Sequence, residues 1–249
     1  PFPVRNGDTR AGDNLYTDSV VALDADSGKL KWHYQFTPHD VMDWDATQIP
    51  VLSDIDWQGR LRKVMLWANK NGLMYVLDRT TGQFLSGKPF VQVNWMNGFD
   101  EKGRPIMDPS RVAGVVLPGS VPATNWQPPS YSPGTGLFYI PSWDGGNNGL
   151  IETALPKYGV VRAFDPHTGG KKWEFRSNDA AFSGVLTTAS DLLFSGAADR
   201  VQQIECRQEL IEWVLFLDLD AECRLLLQRF SERRGPGKPF TNTVERYSR

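Results

Sequence analysis

Cysteine and histidine are scarce in this chain of 249 residues: two Cys, at 206 and 223, and three scattered His, at 33, 39 and 167. The cysteines have no histidines at the spacings of a zinc site, so no soft-metal centre is expected. No apolar run is long enough to span a bilayer, and the opening Pro1-Phe-Pro-Val-Arg5 is not a signal peptide. An excess of charge is lacking too. The net charge is −2 and there is no basic run, which argues against nucleic acid and anionic membranes as partners. The chain starts without Met, inside what reads as a loop, and is therefore expected to be a fragment.

What the chain does have is turn residues and aromatics. It carries 23 Gly, 17 Pro and nine Trp at 40% hydrophobic residues. Turn signals throughout, between short apolar runs, point to an all-β protein of one large or two small domains. Lys63–Ala68, Gly136–Ile140 and Asp191–Ser195 read as strands. The Pro/Gly-rich stretch from Phe90 to Tyr131 is longer than a connection requires and reads as a site-forming insertion.

One unit recurs. Ala22-Leu-Asp-Ala-Asp-Ser-Gly-Lys-Leu-Lys-Trp32 is matched by Ala163-Phe-Asp-Pro-His-Thr-Gly-Gly-Lys-Lys-Trp173, and Val76-Leu-Asp-Arg-Thr-Thr-Gly-Gln-Phe-Leu-Ser86 is a degenerate copy with Ser in place of Trp. In such a unit Asp and Ser or Thr bond the turn backbone, Gly takes the positive φ, and Trp packs on a neighbour. Hairpins that dock on one another imply a β-propeller or a related closed array. After Arg200 the composition changes: the last 49 residues hold two of the 23 Gly and two of the 17 Pro. Glu205 to Phe230 is rich in Leu, Glu, Arg and Gln, which are helix formers. Two domains are therefore expected: a partial propeller over 1–200, and a tail over 201–249, helical or disordered. The tail is either the product of a frameshift or a fused segment.

Chemistry concentrates in Thr37-Pro-His-Asp-Val-Met-Asp-Trp-Asp45, where Asp40, Asp43 and Asp45 cluster with nearby Asp54. Carboxylates repel one another, so a fold keeps them together only where a cation, a proton or solvent compensates. On the residues alone, Asp43 reads as a solvated loop carboxylate, Lys70 as a surface hairpin lysine, and Asp45 as an ordinary turn cap. Asp40 and His39 read as structural, with His packing and Asp bonding backbone. Trp32 and Trp173 read as docking residues.

The repeat together with Pro38-His-Asp-x-x-Asp43 resembles the pyrroloquinoline quinone (PQQ) dependent alcohol dehydrogenases, the methanol and ethanol quinoproteins. Gly12-Asp-Asn-Leu-Tyr16, Trp32-His-Tyr-Gln-Phe36, Asn69-Lys-Asn-Gly72 and Thr124-Asn-Trp-x-Pro-x-Ser-Tyr131 carry the likeness across residues 1 to about 200. The resemblance implies part of an eight-bladed propeller tied by tryptophan docking. It implies Asp43 as the base that takes the alcohol proton while hydride passes to the quinone. Lys70 matches the cation that bonds the quinone oxygens, and Asn125 and Trp126 match cofactor contacts, Trp126 being open between that role and rim packing. Asp43 and Asp45 match metal ligands. Lanthanide-dependent members carry Asp two places after the base, where many calcium-dependent ones carry a small uncharged residue. A lanthanide is thus expected, with Ca2+ as the alternative, since both are hard cations that take oxygen.

The family further implies a small primary alcohol as substrate, a cytochrome c-type electron acceptor and a periplasmic location. Its other metal ligands, a disulfide against the cofactor and the Trp beneath it lie upstream of Pro1, so the isolated chain is expected to be inactive. The alternative is a non-catalytic propeller that scaffolds or binds other proteins. A base and a cation facing one shared cavity discriminate, because a scaffold has no use for them. Asp43 and Asp45, two apart on an extended segment, are expected to share a face while Trp44 packs the other way.

Overall fold

The computed structural model describes residues 7–112, 116–119, 123–144, 158–177, 183–197, 200–205, 213–218 and 225–229. Nearly all regular structure is antiparallel strand. β1 (Ser19–Leu23) and β2 (Leu30–Gln35) form a two-stranded sheet. β3 (Val51–Asp56), β4 (Leu61–Ala68), β5 (Leu73–Asp78) and β6 (Phe84–Pro89) form a four-stranded meander in sequence order. A small ribbon follows, β7 (Met96–Phe99) with β8 (Pro105–Met107), then the helical turn α1 (Pro109–Val112). A second four-stranded meander consists of β9 (Ser130–Ser132), β10 (Leu137–Asp144), β11 (Tyr158–Phe164) and β12 (Lys171–Ser177). The last sheet runs β13 (Val185–Thr187), β14 (Leu192–Ala197), β15 (Arg200–Glu205), β16 (Trp213–Asp218) and β17 (Leu225–Arg229). Successive meanders are the blades of a propeller, of which the chain makes part. No helix among the described residues is long and apolar enough to cross a membrane.

The three repeat turns are built by the same bonds. The first Asp donates its backbone N–H across the turn, Asp24 to Lys29, Asp78 to Gln83 and Asp165 to Gly170, at 2.8–3.0 Å. The glycine N–H returns to that Asp at 2.8 Å in each, from Gly28, Gly82 and Gly169. These glycines have φ of 67°, 76° and 71°, which a side chain would strain. The Asp carboxylate accepts the N–H of Ser27, of Thr80 or of His167. In all three hairpins the register shifts at the same step, between Ala22 and Leu23, Val76 and Leu77, and Ala163 and Phe164.

Period-2 alternation explains why the second sheet lies between its neighbours. On β4 and β5, Val64, Leu66, Ala68, Met74 and Val76 face a core shared with Phe138, Ile140 and Phe164 of the third sheet. Met65, Trp67, Leu73, Tyr75 and Leu77 face the opposite way, onto Tyr34 and Phe36 from the first. Trp32 packs on the turn of the second repeat, where a Cβ at Gly82 would come within 2.7 Å of its ring. Trp57 stacks on His167 of the third repeat at 5.3 Å between centroids. Trp173 lies 5.6 Å from Tyr139 of its own sheet and adjoins a core that includes Val185 and Leu193 of the next.

The tail departs from the sequence expectation. Residues 201–205, 213–218 and 225–229 are strands that continue the last meander, not helix. Composition of the whole stretch favours helix, but Trp213-Val-Leu-Phe-Leu-Asp218 is a run of β-favouring and apolar residues that pairs with β15. The rest of the tail lies outside the described residues.

Candidate functional site

The chain leaves β2 through Phe36, whose N–H donates to the Asp18 carbonyl at 2.8 Å. Asp40, fully buried, then organises the loop: its two carboxylate oxygens accept the N–H groups of Met42 and Trp44, each at 2.8 Å. His39 meets the Gly12 carbonyl through Nδ1 at 2.7 Å. Both residues therefore do the structural work expected of them. The result is an alternation in which Met42 and Trp44 are buried, Asp43 is exposed and Asp45 is half-buried. The segment is not an extended strand, however. Asp43 has φ of 68°, a left-handed conformation that Asp tolerates better than most residues.

Trp44 fixes this loop to two others. Its Nε1 donates to the Gly119 carbonyl at 3.1 Å, and its ring lies 5.0 Å from Trp95. Trp95 in turn donates from Nε1 to the Asn71 carbonyl at 2.9 Å. Asn71 belongs to the β4–β5 turn, Asn69-Lys-Asn-Gly72, which is closed by Asn69 N–H to Leu73 O at 2.9 Å and Gly72 N–H to Asn69 O at 3.0 Å. The Asn side chains brace it, Asn69 Oδ1 accepting from Asn71 N and Asn71 Oδ1 from Leu73 N.

From this turn Lys70 delivers its ammonium to Asp45 Oδ2 at 2.8 Å, with the lysine side chain 8% exposed and that of Asp45 43%. The Lys70 carbonyl accepts the Ala123 N–H at 3.2 Å, which brings in the third segment. There Asn125 Oδ1 accepts from Thr47 Oγ1 at 3.3 Å and from the Trp126 N–H at 2.9 Å. Trp126 is 58% exposed. Three loops, 40–48, 69–72 and 123–127, thus meet, and they carry the five residues singled out in the sequence. Asp45 and Lys70 touch, and Asn125 reaches Thr47 beside them. Asp43 has no hydrogen-bond or ionic partner among the described residues.

Burial shapes the charges beneath. Asp18 is driven well above the ordinary carboxylate pKa, first by desolvation and further by the negative charges of Asp40 and Asp45, while hydrogen bonds from Thr37 and Asn69 oppose the shift. Asp40 is raised too, by desolvation, against the bonds from Met42 and Trp44. Sequence reasoning missed the parts played by Asp18 and Thr37 and by Asn71 of the turn itself, all three buried. Nothing in Thr17-Asp-Ser19 distinguishes it from a surface turn.

The donor set is one of oxygens and a single ammonium. Among the described residues no three His, Cys, Asp or Glu side chains stand together as a metal site, so Asp43 and Asp45 could furnish only part of one. For a planar quinone bearing carboxylates the residues fit better: a cation in Lys70, an amide in Asn125 and an open aromatic ring in Trp126.

Residues 3–98 match the family model for the beta-propeller domain of PQQ-dependent glucose, ethanol and alcohol dehydrogenases. Over 224 aligned residues the chain is 40% identical to the quinohemoprotein alcohol dehydrogenase of Comamonas testosteroni, covering 76% of this chain and 32% of that protein. The crystal structure of the quinohemoprotein alcohol dehydrogenase from that organism superposes with a TM-score of 0.77, over 91% of this chain and 41% of that one. The 1-butanol dehydrogenase (cytochrome c) of Thauera butanivorans is 38% identical, over 80% of this chain and 34% of the relative. A europium-containing methanol dehydrogenase gives a TM-score of 0.76 at 26% identity, over 91% of this chain and 46% of that one. The chain spans about a third of the length of the relatives it matches. With its docked repeats and converging loops, it belongs to the family of PQQ-dependent quinoprotein alcohol dehydrogenases.

Proposed function

We propose that the chain is the central part of a periplasmic PQQ-dependent dehydrogenase that oxidises a primary alcohol to an aldehyde, and that the isolated chain is inactive. Its propeller portion covers residues 1–200, and the strands within 201–229 extend the last of its sheets. The observation that carries the reading is the meeting of Lys70 and Asp45, with Asn125 alongside, in a family whose members oxidise alcohols.

PQQ, when bound with a hard cation, supplies the hydride acceptor and the polarising charge. The chain's own residues do the rest. Asp43, exposed and without a partner among the described residues, accepts the proton of the substrate hydroxyl. Lys70, held nearly out of solvent, would supply the positive charge that favours reduction of a quinone bound beside it. Asn125 and Trp126 line the same region and would hold the cofactor, the first through hydrogen bonds of its side-chain amide and the second through its ring. Asp45 keeps one oxygen on Lys70, and Asp43 and Asp45 are the residues that would hold the cation. A second carboxylate suits a trivalent ion better than a divalent one, which favours a lanthanide over Ca2+. The likeness to a europium-containing methanol dehydrogenase supports the same choice. A cytochrome c-type protein is the electron acceptor, as the name of the Thauera relative indicates for that enzyme.

The test is alcohol oxidation by the full-length protein reconstituted with PQQ and either calcium or lanthanum. Asp43→Asn should abolish turnover while the cofactor still binds, and Asp45→Ala should lose lanthanum-supported activity selectively. Equal activity with calcium, unaffected by Asp45→Ala, overturns the metal assignment and leaves the dehydrogenase standing. No PQQ-dependent turnover with either metal overturns the enzyme itself and favours the scaffold.

A further inference from the structure

One buried acid lies outside the chemistry just described. Asp18 precedes β1, is nearly inaccessible, and has φ of 49°. Its Oδ2 has no hydrogen-bond partner among the described residues, and its Oδ1 lies 3.5 Å from Asn69 Nδ2, at the edge of bonding range. Asn69 Oδ1 in turn accepts the Asn71 N–H at 3.0 Å. Thr37 Oγ1 also accepts from Asn71 Nδ2 at 3.1 Å, and Asn71 Nδ2 reaches the Tyr75 hydroxyl at 2.9 Å. The Tyr75 hydroxyl then donates to the Phe36 carbonyl at 3.3 Å, and the Phe36 N–H returns to the Asp18 carbonyl. This closed polar circuit passes through two of the four residues of the turn that carries Lys70.

We propose that Asp18 is a positioning residue for Lys70: in contact with Asn69 beneath the Asn69–Gly72 turn, it fixes the backbone that delivers the Lys70 ammonium to Asp45. The consequence for catalysis rests on the dehydrogenase reading, but the positioning itself does not. A buried polar circuit holds one conformation when its members are satisfied and loosens when one is removed. An ionised carboxylate at this place would leave a bare negative oxygen among Asp40 and Asp45, so the protonated acid is the form that burial selects. An amide has the same shape as that acid and the same neutrality. Asn and Gly also both tolerate the left-handed backbone, so Asp18→Asn and Asp18→Gly isolate the carboxyl group without adding strain.

The experiment is acylation of the 249-residue chain by acetic anhydride, with the rate at each lysine read by mass spectrometry. Near-ultraviolet circular dichroism of the buried Trp44 and Trp95 is recorded on the same samples. In Asp18→Gly the Lys70 rate should rise roughly tenfold, the effect of losing about one buried hydrogen bond. The rates at exposed Lys63 and Lys102, and the dichroism, should stay at their wild-type values. Asp18→Asn should keep Lys70 as protected as the wild type. An unchanged Lys70 rate in Asp18→Gly overturns the proposal. So does a rise accompanied by loss of the aromatic dichroism, which marks a general structural role, and so does an Asn variant that behaves like Gly. Acylation needs neither PQQ nor metal, so a failure of the dehydrogenase assignment is separately visible as absent turnover.

Discussion

Trp32 lies flat against Gly82, so close that a Cβ on the glycine would fall 2.7 Å from the indole ring. The first repeat's terminal tryptophan thus rests on the turn of the second, and the glycine serves both as the left-handed turn residue, at φ of 76°, and as the floor under the ring. Gly82→Ala should therefore carry two costs, backbone strain and a steric clash, together about 2–4 kcal/mol. Urea unfolding should show it as a lowered midpoint at unchanged slope. Gly28→Ala, with open space around its Cβ, should cost only the strain, about 1 kcal/mol.

Asp45→Ala and Lys70→Met should not be equivalent. The first leaves a nearly buried ammonium without its partner, whereas the second keeps the stem and leaves a half-exposed carboxylate that water can serve. Because Asp45 is partly solvated, the cost of Asp45→Ala should be about 1–2 kcal/mol and that of Lys70→Met under about 1 kcal/mol. A double-mutant cycle by urea unfolding measures the difference.

Asp18 should make stability fall as pH rises. Its folded pKa lies above the unfolded value of 3.8, so the folded state holds the proton more tightly. Its contribution is whole below that value and is lost as pH climbs toward the folded pKa. Asp18→Asn should flatten this limb and raise stability at neutral pH, as followed by urea unfolding between acid and neutral conditions.

Glu174 should act in the opposite sense. Burial pushes its carboxyl up, but hydrogen bonds from Lys171 and Arg176, with the charge of Arg162 beside them, outweigh this and bring the pKa from 4.5 to about 2. A depressed pKa adds stability that is present above pH 4.5 and lost as pH falls through about 2. The amount is on the order of 2–3 kcal/mol at low salt, and less as salt screens the exposed Lys171 and Arg176. Glu174→Gln should remove that acid limb in thermal unfolding recorded from pH 5 downward, roughly across the titration range of the carboxyl.

The repeat turns could be read from the sequence because every bond that shapes them lies within the unit. Asp24, Asp78 and Asp165 each meet partners within six residues, and the glycine that closes each turn is visible as a letter. The site was legible differently. Nothing local marks Lys70 or Asp43 apart from a surface lysine and a loop aspartate, and only the family phrases around them pointed inward. Asp18 escaped both routes. Its hydrogen-bond partner Asn69 and the carboxylates that act on its charge, Asp40 and Asp45, are far away in the chain, so no window of sequence contains the environment that matters. The tail misled for the converse reason. Composition averaged over Glu205–Phe230 says helix, while the pairing of β16 with β15 and β17 is a matter of neighbours.

The register shift that recurs in all three hairpins carries a consequence for how the array curves. Each shift adds the same local twist to its own hairpin. Separate contacts then fix the first sheet to the second, Trp32 on Gly82, and the second to the third, Trp57 on His167 and the Lys88 stem on Gly169. The angle from one sheet to its neighbour is thereby set within each pair. Curvature is written blade by blade, like the taper of stones in an arch, and does not wait on the closing of a circle.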